Sequence, residues 1–141
     1  MTMRIALLIF AFVFSAAHAA EPRVSGTDAK AIRAVVQGQL DAFASDNGAK
    51  AFSYAAPGIR AQFGNPEVFM AMVREGYEVM LRPASVQFLP PAVEAGQTIQ
   101  LVRLTDDAGR VWLARYVMEK QKSGAWRVGG CSLAQTADTA A

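Results

Sequence analysis

IRAVVQGQLDAFASDNGAKAFSYAAPGIRAQFGNPEVFMAMVREGYEVM, residues 32–80, decides the fold of this chain. Ile32, Val35, Val36, Leu40 and Phe43 recur at spacings of three and four, the apolar stripe of an amphipathic helix. Thr27 reads as its N-cap, with Asp28 in the first turn where the helix dipole favours a carboxylate. Asn47-Gly48 reads as its stop, since both residues tolerate left-handed backbone. A short helix is expected over Ala49–Tyr54, with Phe52 facing inward, and Pro57-Gly58 then breaks the chain ahead of a turn or single helical loop at Ile59–Phe63. Asn65-Pro66-Glu67 combines a capping side chain, proline at the first helical position and an early acid. Phe69, Met72, Val73, Gly76 and Met80 give the helix it starts an apolar face, on which Gly76 would permit close approach to a sheet.

Beyond Pro83 the apolar period shifts from 3.6 towards 2, and four strands are expected. Ser85–Leu89 ends at Pro90-Pro91, which suits an edge or a bulge. Thr98–Thr105 changes phase between Leu101 and Val102, so either both of its faces are covered or a bulge intervenes. Asp106–Gly109 is a hairpin loop leading into Arg110–Gln121, whose even positions Trp112, Ala114, Tyr116 and Met118 share one face. Ala125–Leu133 follows a turn at Gln121–Gly124, with Gly129-Gly130 marking a bend or bulge. Helices followed by an antiparallel meander make an α+β domain.

Composition sets the frame around that domain. The chain has 141 residues, enough for one domain, and is 52% hydrophobic, too apolar for disorder. Arg4, the apolar run Ile5–Phe14 and Ala17-His18-Ala19 have the form of a cleaved secretory signal peptide, too short to cross a bilayer. The expected organisation is a signal peptide at 1–19, a flexible lead-in at 20–27, one domain at 28–134 and a flexible tail at 135–141, in a periplasmic or secreted protein with no stable membrane anchor after cleavage. Without residues 1–19 the charge is 13 basic against 12 acidic side chains, which offers no dense basic face for nucleic acid.

IRAVVQGQLDAF, the corner YAAPGIRAQFGNPEVFMAMVREGY and the ending GRVWLARYVMEKQKSGAWRVGGCSL together resemble a bacterial family of domains of unknown function. That family is similar to the nuclear-transport-factor-two-like superfamily, also called cystatin-like or ketosteroid-isomerase-like. The resemblance covers about residues 28–134. It implies a cone-like fold, with the N-terminal helices packed on a curved four-stranded antiparallel sheet, a conical pocket between them, and homodimers through the sheet. It implies no activity, because this superfold hosts isomerases, dehydratases, transport factors and plain binders alike.

The chemistry of the site is bounded by what the sequence lacks. The sole histidine, His18, falls in the signal segment, which leaves the domain without a Ser-His-Asp or Cys-His catalytic set. One cysteine, Cys131, does not make a zinc site, and no phosphate-binding glycine loop or calcium loop is present, so neither metal nor cofactor is expected. Arg103 and Arg115 interrupt otherwise apolar strands; pointing inward, either guanidinium would clamp a carboxylate or sulfate-like group, and pointing outward it would pair with Glu94 or Glu119. Tyr54, Tyr77, Trp112, Tyr116 and Trp126 are candidate pocket walls or ordinary core, and Arg60 is a candidate rim residue. Asp106 and Asp107 read as a solvated turn. Three expectations stay open: a non-catalytic binder of a small acidic or apolar ligand or a partner, an isomerase- or dehydratase-type enzyme using a tyrosine and a carboxylate, and a structural module that dimerises.

Overall fold

In the computed structural model, residues 22–139 are described; the expected signal segment and residues 140–141 lie outside them. The first helix, α1 (Gly26–Ala44), starts two residues earlier than the sequence suggests, because Ser25 rather than Thr27 caps it, its hydroxyl accepting from the Asp28 N–H at 3.1 Å. Ile32, Val36, Leu40 and Phe43 are buried along one stripe. Asn47 does not stop α1. Asp46 makes the left-handed turn at φ 51°, and Asn47 caps the next helix, α2 (Gly48–Ser53), through the Lys50 N–H.

Pro57 starts structure rather than breaking it. It takes the first position of α3 (Pro57–Phe63), where a missing N–H costs nothing. The following helix, α4 (Pro66–Gly76), begins as expected, with the Asn65 side chain accepting from Val68 N–H at 2.9 Å. Gly76 is exposed at the helix end with nothing close to its Cβ position, so it permits no close approach to the sheet; Met80 reaches the core from a 3-10 turn at Glu78–Met80 instead.

The sheet has five antiparallel strands and is not closed: β1 (Ser85–Phe88), β2 (Ala92–Glu94), β3 (Gln97–Thr105), β4 (Arg110–Lys120) and β5 (Trp126–Thr139). The strand additional to the expected four is β2. It pairs with the same edge of β3 as β1 does, slipped by one residue, since Phe88 lies opposite Val102 and Ala92 opposite Ile99. The two are one edge strand bulged at Pro90-Pro91, where proline has no N–H for the ladder. Buried Gln100 reaches across this break and donates to Leu89 O at 2.6 Å and Leu101 O at 2.9 Å. The register of β3 on β4 is unbroken from Thr98 to Thr105, so the phase change in β3 reflects apolar residues on both faces.

Even positions of β3 and β4 (Val102, Leu104, Ala114, Tyr116, Met118) join the helix-packed core, and odd positions face the other way. The register of β5 on β4 shifts opposite Val117/Met118, at Gly129. A Cβ there would lie 2.6 Å from Glu119 Cδ, which explains the glycine. The strand β5 also runs through the segment expected to be a tail. Gln135 pairs with Trp112, and Thr136 Oγ1 donates to Val111 O at 3.1 Å, so tertiary pairing overrides a small-residue composition. Among the described residues no helix is long and apolar enough to cross a membrane.

Candidate functional site

Helices and sheet do not fill the space between them. A cavity of about 310 Å³ opens where α1, α3, α4 and β5 meet. Phe69 anchors its helical wall, its ring centroid 5.5–6.1 Å from those of Phe43, Phe52 and Phe63 in tilted and edge-on contacts. Met72 and Val73 from α4 and Ile59 from α3 extend that wall, and Val128, Gly130 and Cys131 of β5 form the opposite side. The shape follows from two joints. After α2 the chain runs beside β5, with Val128 N–H donating to Tyr54 O at 2.9 Å and Ala56 N–H donating to Val128 O at 2.8 Å. From the far side, the Tyr77 hydroxyl donates to Cys131 O at 3.0 Å. The strand β5 is thus held at both ends of the opening, and α3, none of whose residues is fully buried, spans it.

The cavity lining carries no formal charge. Its polar groups are Gln39, Gln62, Tyr77 and Cys131. Gln39, 3% exposed, donates through Nε2 to Ala51 O at 3.1 Å. Burial pushes the Cys131 thiol up to about 12, so it is a thiol and not a thiolate at neutral pH. Beside it across the strands, Tyr116 is wholly buried, and its hydroxyl has no hydrogen-bond partner among the described residues. Burial, and to a lesser degree a charge on Cys131, raises that phenol well above its usual range.

Of the eight residues singled out from sequence, Tyr77 alone lines this cavity. Tyr54 packs its hydroxyl end against Gly38 of α1, where an added Cβ would be 2.5 Å from its oxygen. Arg60 is exposed on α3. Arg103 and Arg115 are on the odd face of the sheet, away from the helices, where Arg103 sits 3.8 Å from Asp138 and Arg115 3.1 Å from Glu94. Tyr116 is core. Both tryptophans are pinned by carboxylates: Trp126 Nε1 donates to Asp28 at 3.1 Å, and Trp112 Nε1 to Asp106 at 3.0 Å.

Asp106 is therefore not a solvated turn residue. Its side chain is 15% exposed and accepts from Ala108 N–H, Arg110 N–H, Arg110 Nε and Trp112 Nε1, which hold its carboxyl below the usual range, the indole bond foremost. Trp112 and Asp106 belong to a second, larger groove of about 630 Å³ between the end of α4 and the β3–β4 hairpin, rimmed by the charged side chains Glu75, Glu78, Arg82 and Arg110. Asp41, the acid nearest the middle of α1, is exposed and accepts from Gln37. Among the described residues no cluster of three His, Cys, Asp or Glu could hold a metal ion.

The cavity wall draws on Phe43, Phe69 and Met72, which the sequence reading placed on plain apolar helix faces, and on Ile59 and Phe63, which it left in a turn or single helical loop. Their signal is a surplus of large apolar groups spread over three helices, α1, α3 and α4. Residues 25–141 match the family described as Domain of unknown function (DUF4864). No curated protein and no solved structure matches the chain.

Proposed function

The chain belongs to the DUF4864 family, and we propose that it is a non-catalytic binding protein that holds one small, mainly apolar molecule in the cavity between α3, α4 and β5. The observation that carries the reading is the cavity itself. Its volume of about 310 Å³ falls in the range of small-molecule pockets, roughly 300–1,000 Å³. It is room for about ten waters at about 30 Å³ each, against a wall mainly of phenylalanine, methionine and valine that offers them few partners. Proton transfer needs an acid or base near the reacting atom. The lining offers a glutamine pair, a tyrosine that has committed its proton to Cys131 O, and a thiol held protonated, which favours holding a molecule over transforming it.

The form of residues 1–19 supports export to the periplasm or beyond. Helices on one face of a curved antiparallel sheet, with a cavity between, support the likeness to the nuclear-transport-factor-two-like cone. Native mass spectrometry on protein purified without denaturant tests the binding reading. A bound mass should appear on the wild type and vanish in Ile59→Trp, which fills the cavity from the loosely packed α3. A bound mass retained in Ile59→Trp, or a protein that neither carries nor takes up any apolar molecule, would sink it.

A further inference from the structure

The donors and acceptors that line the cavity restrict what it accepts. Tyr77 has one hydroxyl proton and gives it to Cys131 O at 3.0 Å, so what remains on its oxygen is lone pairs. Gln39 commits its amide nitrogen to Ala51 O at 3.1 Å, which fixes the amide orientation and leaves its carbonyl oxygen as an acceptor. Both side chains are tied to main chain on separate elements, and the free amide donors of the lining belong to Gln62, exposed on α3. No arginine or lysine is in the lining to neutralise an anion, and no aspartate or glutamate to neutralise a cation. An ion taken into such a space loses its hydration without a partner.

We infer that the ligand is an uncharged, largely apolar molecule carrying one hydrogen-bond donor, a hydroxyl or an N–H, directed at Tyr77 Oη and Gln39 Oε1. This rests on the binding reading above and deepens it. It also narrows the ligand from acidic or apolar to apolar and neutral. A carboxylate is rejected by its uncompensated charge, and at Tyr77 Oη and Gln39 Oε1 its oxygens meet oxygens. An ether of the same length fits but leaves the two acceptors unmet, which costs more than a merely absent contact.

The test uses N-phenyl-1-naphthylamine, an uncharged fluorophore with one N–H, and its anionic relative 8-anilinonaphthalene-1-sulfonate. Octan-1-ol, heptyl methyl ether and octanoate then serve as competitors of matched length. The neutral dye should bind at one site and at least tenfold more tightly than the sulfonate, and Ile59→Trp or Met72→Trp should abolish its binding while leaving the circular dichroism unchanged. Octan-1-ol should displace it at roughly three- to tenfold lower concentration than the ether, the ratio expected for one hydrogen bond, and octanoate should compete at least tenfold less well than the alcohol. Tyr77→Phe, and separately Gln39→Met, should pull the alcohol-to-ether ratio towards one, a readout that loss of packing alone would not move. Equal binding of both dyes in the cavity, or a ratio near one in the wild type, overturns the inference and leaves the binding reading standing. Failure of both dyes to bind, or binding indifferent to both tryptophan substitutions, overturns the binding reading itself.

Discussion

Gly38 sits in the middle of α1, where glycine is ordinarily the wrong residue. Replacing an exposed mid-helix glycine by alanine usually gains about 1 kcal/mol. Here the sign should reverse. A Cβ on Gly38 would stand 2.5 Å from Tyr54 Oη, 2.7 Å from Cζ and 3.3 Å from Cε1. The ring cannot slide aside with its backbone, because Tyr54 O accepts from Val128 N–H and the next residue but one bonds Val128 O. Overpacking of this kind costs about 1–3 kcal/mol, so Gly38→Ala should lower stability in spite of the better helix propensity. Three backgrounds separate the terms by urea denaturation. With Tyr54→Ala the obstruction is gone, and Gly38→Ala should stabilise by about 1 kcal/mol. With Tyr54→Phe, Cζ remains at the same place, so Gly38→Ala should still destabilise. The coupling between positions 38 and 54 is then about 1–3 kcal/mol. Equal stabilisation by Gly38→Ala in the wild-type and Tyr54→Ala backgrounds would refute the packing argument.

Four further outcomes follow from buried and pinned groups. Tyr116→Phe should leave stability unchanged within about 0.5 kcal/mol or raise it, since the deleted hydroxyl is buried without a protein partner; a loss above about 1.5 kcal/mol in urea would show that the hydroxyl is bonded. Cys131 should react with iodoacetamide at pH 8 about a thousandfold more slowly than a free cysteine, and labelling of the folded protein at the free rate contradicts its burial. Because its pKa is raised from 9.0 to about 12 on folding, the unfolded chain loses this proton first. The stabilisation is whole below pH 9 and should be lost at up to about 1.4 kcal/mol per pH unit from there to 12, a slope that Cys131→Ser should flatten. Asp28 and Asp106 are both held below the usual carboxylate range, each first of all by an indole N–H, so their contribution is present above that range and lost as pH falls through the lowered values. The chain's two tryptophans are those indoles, so intrinsic fluorescence should change in that acid window, and an unchanged acid response in Asp28→Asn/Asp106→Asn would contradict the assignment.

Local signals were legible where one residue type does one job. Asn65-Pro66-Glu67 opens α4, Gly129-Gly130 marks the register shift, and Arg115 pairs with Glu94. Readings failed where two jobs compete for a residue. Asn47 can end one helix or cap the next, and with Asp46 already in the left-handed turn it caps. Pro57 can break a helix or begin one, and its fixed φ suits the beginning. The strand β2 and the far end of β5 have weak strand composition and exist because a neighbouring edge offers them partners, which no local window contains. The cavity was illegible for the same reason. Its wall is a set of core-type residues from four elements, and nothing in their spacing says that they fail to meet.

The arginines show why that matters for function. From sequence, the interruption of an apolar strand by Arg115 looks like a device aimed at an anion. The alternation of β4 settles its direction: Tyr116 and Ala114 face the helices, so Arg115 between them cannot. For Arg115 to enter the cavity, β4 would have to turn every side chain over, burying Glu119 and exposing Met118 and Tyr116, a change that costs the whole core. Arg103 is bound by the same argument through its pairing with Leu113. The positive charge that would have suited an acidic ligand therefore lies on the sheet's other face, engaged by Glu94 and Asp138. What faces the cavity from the sheet is Val128, Gly130 and the protonated thiol of Cys131. The absence of charge from the cavity lining is thus set by strand parity as much as by the helices that close over it.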